Sequence, residues 1–195
     1  YEIMFEPLFH NFKFNGEEII TLNLPKPTNS IKLDAAELSI KESHIIQGGK
    51  IIPTKSSLNE KDEKLNIKLA KKIKGKVKLS IKFTGTLNDR LLGFYKSQYK
   101  DKKGKTKYLA TTQFEAADAR RAFPCWDEPA VKATFDVSLL VDKHMDAISN
   151  MPVISKKKSG AKILYKFGRT PIMSTYLLYL GVGEFEYLHG KLRNI

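Results

Sequence analysis

Residues 111–129 carry more chemically distinctive side chains than any other part of the 195-residue chain. They read T-T-Q-F-E-A-A-D-A-R-R-A-F-P-C-W-D-E-P and include the only tryptophan and the only cysteine of the protein. Gln113 and Glu115 are two positions apart, so on an extended segment both side chains point to one side while Phe114 points into the core. Ordinary linkers lack this density of aromatic and charged groups, which indicates a structured segment with a functional role.

Two catalytic interpretations of this segment are weak. Cys125 has no histidine within the segment to act as its base, so we expect a small buried hydrophobic residue beside Trp126. Asp127 and Glu128 are adjacent, and adjacent side chains on an extended chain point apart. That arrangement argues against a carboxylate pair for acid–base catalysis of the kind used by glycosidases.

The histidines provide no recognisable metal site. They are far apart in the sequence, and no H-E-x-x-H motif, which would place two imidazoles on one helical face around zinc, is present; the four are His10, His44, His144 and His189. The chain also lacks a G-x-S-x-G nucleophile elbow, a P-loop and a G-x-G-x-x-G motif. We therefore expect neither a metal site nor a catalytic residue within this chain.

The remaining charged residues of the segment are predicted to support its structure. Asp118 is expected to pair with either Arg120 or Arg121, with direct contact to a substrate as the alternative role for all three. Trp126 is expected to supply core contacts together with Phe123. From the residues alone, Glu115 would be taken as an ordinary solvated acid.

The same segment resembles a known family. T-Q-F-E-A followed by D-A-R-R-A-F-P-C-W-D-E-P is similar to the N-terminal domain of M1 (gluzincin) zinc aminopeptidases, closest in style to the archaeal tricorn-interacting aminopeptidases. Three further pieces agree with this resemblance, which covers essentially the whole chain: F-N-G-E at residues 14–17, S-N-M-P-V at 149–153 and M-S-T-Y-L-L-Y-L-G-V-G-E-F at 173–185.

The resemblance implies specific roles. Gln113 would line the pocket for the first substrate side chain, and Glu115 would bind the free α-amino group of a peptide through a charge-assisted hydrogen bond. Zinc would be held by ligands outside this chain, in a following catalytic domain, so we expect the chain alone to be inactive. The expected partners are peptides with a free N-terminus and the enzyme's own catalytic domain. The alternative is a non-catalytic module that binds proteins or carbohydrates on the same scaffold.

Alternating apolar residues predict the elements that position this segment. The pattern is clearest in K-V-K-L-S-I-K-F at residues 76–83, and no apolar pattern of helical period persists. We predict an all-β chain, an antiparallel multi-sheet, saddle-like sandwich of about a dozen strands, and a single domain over residues 1–195.

Local signals also predict where the strands end. Asn15-Gly16 and residues 47–50 are predicted as hairpin turns. Pro25 and Pro27 are expected to end a strand. Residues 96–107 are predicted as a charged loop and residues 176–185 as a buried strand.

Composition limits the possible partners and compartment. Hydrophobic residues make up 42% and charged residues 28% of the chain, as in folded soluble proteins. A single cysteine fits a reducing compartment, and neither a membrane-spanning apolar run nor a signal peptide is visible, so we expect a cytoplasmic protein without a membrane partner. The net charge of +13 suggests nucleic-acid binding, but the recognition motifs for it are absent, so that partner is not expected.

Overall fold

The computed structural model describes residues 1–188 and residue 190, and these form twelve β-strands. Their bounds are β1 Glu2–Leu8, β2 Lys13–Asp34, β3 Ser39–Gln47, β4 Lys50–Asn59, β5 Lys64–Thr86, β6 Gly93–Lys100, β7 Thr106–Gln113, β8 Asp136–Asp142, β9 Asp146–Ser149, β10 Val153–Ser159, β11 Lys162–Phe167 and β12 Leu180–Gly183. Helical structure in the described residues is limited to two single 3-10 turns, Ala119–Arg121 and Thr175–Leu177.

The strands form two sheets. The larger sheet has eight strands in the order β10-β11-β8-β1-β2-β5-β3-β4, with β4 also pairing with β5. The smaller sheet has the order β6-β7-β12-β9. Neighbouring strands are antiparallel throughout, except that β1 and β8 run parallel. The predicted all-β, mainly antiparallel sandwich of about a dozen strands is confirmed.

Phenylalanine side chains join the two sheets at the core. Phe5 of β1 packs edge-to-face against Phe14 and Phe83 of the large sheet, with ring centroids 6.0 and 6.2 Å away. The same ring meets Phe94 of the small sheet at 5.7 Å and Phe123 of the 111–129 segment at 6.2 Å. Edge-to-face pairs of this kind add to the free energy gained by burying the rings. The segment is thus packed into the centre of the fold.

The predicted turn at Asn15-Gly16 is wrong. Both residues lie inside β2, and the chain reverses earlier, at residues 9–12. A Cβ on Gly16 would lie 2.2 Å from the ring of Phe83 on β5. Glycine is required here because a ring occupies the space of a side chain, which a local turn signal cannot reveal.

The prolines do not end the second strand either. β2 continues to Asp34, and the ladder with β5 only shifts register between Leu24 and Thr28. Pro25 and Pro27 lie within this irregularity, where their missing N–H groups interrupt no regular ladder bond.

Two further segments differ from the prediction and one agrees. Residues 96–107 form most of a hairpin between β6 and β7, with only residues 101–105 outside the strands. Within residues 176–185, only Leu180–Gly183 is strand. The predicted turn at residues 47–50 is confirmed, with Gly48 and Gly49 both at positive φ as a tight hairpin turn requires.

Candidate functional site

Gln113 and Glu115 both face away from the core at the end of β7. Gln113 is the last residue of the strand, lies opposite Gly93 of β6 and is exposed. Phe114 is only 2% exposed, whereas Glu115 is again exposed. The peptide bond after Glu115 is cis. The alternation expected from the two-residue spacing is therefore present, and the two polar side chains are available to a ligand.

The surface beside Gln113 includes residues that the sequence analysis did not single out. Thr111, two positions earlier on β7, lies on the same side and donates a hydrogen bond from its hydroxyl to the Tyr179 hydroxyl at 3.2 Å. Tyr179 covers Gly181 of β12, where a Cβ would lie 2.9 Å from the tyrosine oxygen. Thr111 could have been found from its spacing to Gln113, but Tyr179 is brought there only by the pairing of β12 with β7.

Arg121 connects the segment to two distant turns. Its Nε donates to Asp118 Oδ1 at 2.8 Å, and its Nη2 donates to Glu63 Oε1 at 2.9 Å. Its Nη1 also bonds the carboxylate of Glu37. Glu37 and Glu63 adopt φ values of 58° and 52°, in the left-handed region that non-glycine residues rarely occupy. These two acids lie far from the segment in sequence, and no local pattern identifies them.

Arg120 makes a second, more buried set of contacts. Its Nε and its backbone N–H donate to Asp127 Oδ2 at 3.1 and 3.2 Å, and the Asp127 side chain is only 1% exposed. The Thr175 hydroxyl donates to the other carboxylate oxygen of Asp127 at 2.9 Å. The sequence did not decide whether Asp118 pairs with Arg120 or with Arg121. In the structure Asp118 pairs with Arg121, and Arg120 pairs with Asp127 instead.

Cys125 and Trp126 have different environments. Cys125 is fully buried, and its backbone pairs with Asp34 at the end of β2 through N–H···O bonds of 2.7 and 3.0 Å. Burial raises the pKa of the Cys125 thiol well above its usual value, which keeps the sulfur protonated and poorly nucleophilic. Trp126 is half-buried against the core, and its backbone N–H donates to the Tyr1 hydroxyl at 3.4 Å.

No cluster of three or more His, Cys, Asp or Glu side chains suited to a metal ion occurs among the residues that the structure describes. His189 lies outside them, so its surroundings are not part of this statement. Within the same part of the chain, neither 3-10 turn is long and apolar enough to cross a membrane. The residues that the structure describes therefore offer no set of side chains that fits a zinc ion.

Comparison with known proteins identifies the family. The family model for the peptidase M1 N-terminal domain matches residues 1–177. Puromycin-sensitive aminopeptidase of Caenorhabditis elegans is 43% identical over 201 residues, which cover 100% of this chain and 21% of the relative. Aminopeptidase M1-D of Oryza sativa subsp. japonica is 40% identical over 191 residues, covering 97% of this chain and 22% of the relative.

A fungal relative has the same pattern of coverage. Aminopeptidase 2 of Candida albicans is 42% identical over 194 residues, covering 96% of this chain and 20% of the relative. The chain thus spans about a fifth of the length of each of these relatives. With the family model covering most of the sequence, the chain belongs to the family of peptidase M1 N-terminal domains.

Proposed function

We propose that this chain is the substrate-anchoring N-terminal domain of an M1 aminopeptidase, forming one β domain over residues 1–195 beside a catalytic domain. The proposal rests mainly on one observation: Gln113 and Glu115 are both exposed, and Phe114 between them is buried in the core. The relatives described above, all aminopeptidases several times longer than this chain, support it.

Glu115 supplies the selectivity for a free N-terminus in this proposal. The α-ammonium group of a peptide is a small cation, and a charge-assisted hydrogen bond to a carboxylate is about twice as strong as a neutral one. An internal peptide bond offers no charge at that position, so a fixed Glu115 sets which residue is removed. Gln113, on the same side of the segment, lines the pocket of the first side chain.

The arginine contacts support the backbone turn that contains Glu115. The backbone N–H of Asp118 donates to the Phe114 carbonyl at 2.9 Å, which closes a turn around Glu115. Arg121 then ties the Asp118 side chain to Glu63, near the start of β5. When the residues that support a ligand-binding side chain are already fixed, less conformational entropy is lost when the ligand binds. Asp118, Arg120, Arg121 and Trp126 are therefore proposed as structural support rather than as substrate ligands.

Zinc belongs to the proposed enzyme but not to this domain. When bound by a catalytic domain, a zinc ion polarises the scissile carbonyl and activates water. The described residues contribute substrate positioning only. Peptides with a free N-terminus and the catalytic domain are the proposed partners, and the cytoplasm remains the expected compartment.

Kinetics of Glu115 variants in the full-length protein test this role. Glu115→Ala should lower kcat/KM for leucine p-nitroanilide by about 10- to 150-fold, the range expected for losing a hydrogen bond to a charged group. Glu128→Gln is the matched control, because Glu128 is an exposed acid in the same segment. Normal kcat/KM in Glu115→Ala would refute the anchoring role. A full-length sequence without H-E-x-x-H would instead favour the non-catalytic interaction module.

A further inference from the structure

Three strand features meet at one end of the large sheet. β5 bends at residues 71–75, and β2 has its register shift opposite this bend, where Leu24 pairs with Gly75 and Thr28 with Ile73. The turn between β3 and β4 lies beside the bend, because the Gln47 side-chain amide donates to the Lys74 carbonyl at 2.8 Å. These contacts place residues from three separate parts of the chain beside one another.

This end carries a concentration of positive charge. Six exposed lysines, which we call the lysine tip, lie on it: Lys26, Lys50, Lys71, Lys72, Lys74 and Lys76. The segments that build it, residues 19–33, 43–59 and 64–88, contain no aspartate or glutamate. None of the six lysines has a salt bridge to any residue that the structure describes.

Three of the four lysines elsewhere on β5 form ion pairs; Lys68 has none among the described residues. Lys64 pairs with Asp34, Lys78 with Glu2 at 3.1 Å and Lys82 with Glu42 at 3.0 Å. β5 itself contains no acid, so the contrast lies in its neighbours, which bring acids to Lys64, Lys78 and Lys82 but not to the tip. Positive charge also continues onto the neighbouring face, because Lys55 of β4 lies directly opposite Lys68 of β5, both exposed, and such like-charge pairs are unfavourable.

An apolar side chain lies among these lysines. Ile51, next to the Gly48-Gly49 turn, is 69% exposed. Together with Lys50, Lys71, Lys72 and Lys74 it lines a surface cleft of about 640 Å³. An exposed isoleucine flanked by lysines beside a hairpin turn combines an apolar insertion point with cationic groups.

Protection of a sheet edge accounts for only part of the tip. Lysines often prevent edge strands from pairing with other molecules. Between Leu69 and Lys78, β5 pairs with β2 alone, so its four lysines at residues 71–76 lie on a locally open edge. Edge protection does not account for the exposed Ile51 beside them, because an exposed apolar side chain favours association instead of preventing it.

We propose that the lysine tip docks on an anionic lipid membrane, with the lysines at the headgroups and Ile51 in the interfacial layer. Each lysine near an anionic leaflet strengthens binding roughly fivefold, and apolar side chains at the boundary add to this. Sites for single-stranded nucleic acids typically use arginines and stacking aromatic rings, and the tip segments have neither an arginine nor an exposed aromatic side chain. The inference is independent of the aminopeptidase proposal and replaces the expectation that the protein has no membrane partner.

Vesicle co-sedimentation of the 195-residue chain tests this proposal. Vesicles of phosphatidylcholine with about one third phosphatidylserine should bind the chain at roughly 0.05 M salt and release it at roughly 0.5 M, whereas pure phosphatidylcholine should not bind it. Replacing Lys71, Lys72 and Lys74 together by Gln should weaken binding on the order of a hundredfold. Ile51→Ser should weaken it further by removing the apolar insertion point.

A control variant separates the tip from overall charge. Lys103, Lys105 and Lys157 are exposed lysines outside the tip, and their joint replacement by Gln makes the same change in net charge. This variant should bind vesicles within about threefold of the original chain. Equal losses in both triple variants, or no binding to anionic vesicles, would overturn the proposal. Tighter binding to a short RNA duplex, lost in the tip variant, would also overturn it in favour of a nucleic-acid surface.

Discussion

Replacing Asp127 by Asn tests whether the buried arginine contacts hold the 111–129 segment in place. The carboxylate of Asp127 accepts hydrogen bonds from Arg120 Nε at 3.1 Å, from the Arg120 backbone N–H at 3.2 Å and from the Thr175 hydroxyl at 2.9 Å. Its side chain is 1% exposed, so water cannot replace these partners. An asparagine keeps the shape but removes the charge. Its amide NH2 must face either the Arg120 N–H groups, which cannot accept a hydrogen bond, or the Thr175 hydroxyl, which must then accept instead of donate.

The expected cost follows from the burial of the pair. Removing one member of a buried ion pair costs about 3–5 kcal/mol. The Arg120 side chain is 16% exposed and keeps Glu63 at 3.2 Å, which argues for the lower end of that range. We expect Asp127→Asn to lower the free energy of unfolding by about 3 kcal/mol, or the Tm by about 6–12 °C for a chain of this size.

Urea and thermal unfolding of Asp127→Asn and of a control variant, each compared with the original chain, measure this effect. Glu128→Gln is the control, because this exposed neighbour should change the free energy of unfolding by no more than about 0.5 kcal/mol. A double-mutant cycle with Arg120→Met should recover a coupling free energy of about 1–3 kcal/mol. If Asp127→Asn unfolds within about 0.5 kcal/mol of the original chain, the arginine contacts do not hold the segment.

Two further predictions concern the core. Gly16→Ala should destabilise the protein by about 1–3 kcal/mol in urea unfolding, because its Cβ would meet the Phe83 ring at 2.2 Å. Gly168→Ala, whose Cβ would have only ordinary contacts from 3.6 Å, should be nearly neutral, and equal effects would contradict the steric reason. Burial raises the pKa of Glu18, which has no hydrogen-bond partner among the described residues, well above its usual 4.5. The folded state therefore holds a proton that the unfolded state loses above that pH, so Glu18→Gln should stabilise the protein increasingly as pH rises above about 4.5; a pH-independent difference would refute this.

Local patterns predicted the fold class well, because each strand shows which of its faces is buried. The alternation in residues 76–83 and the hairpin turn at Gly48-Gly49 both depend on neighbours within a few positions. The exposure of Gln113 and Glu115 followed from the same two-residue period. What these two side chains bind stays a prediction, since it depends on a ligand.

Long-range contacts account for the predictions that were wrong or incomplete. Asn15-Gly16 was predicted as a turn because an Asn-Gly pair is a common hairpin signal. Glycine is needed at position 16 for a different reason, because the Phe83 ring on another strand occupies the space of a side chain. The partners of Arg121 are separated from it by 84 positions for Glu37 and 58 for Glu63. Periodicity identifies which face a residue is on, but it does not identify which distant residue lies opposite. The lysine tip was missed for the same reason, because three separate segments assemble it.

The structure of the full-length protein with a bound peptide analogue that keeps its α-amine tests the central claim most directly. The account predicts a Glu115 carboxylate oxygen within about 2.7–3.2 Å of the amine nitrogen, with Gln113 beside the first side chain. An amine held entirely by other residues, with Glu115 turned to solvent, would contradict it.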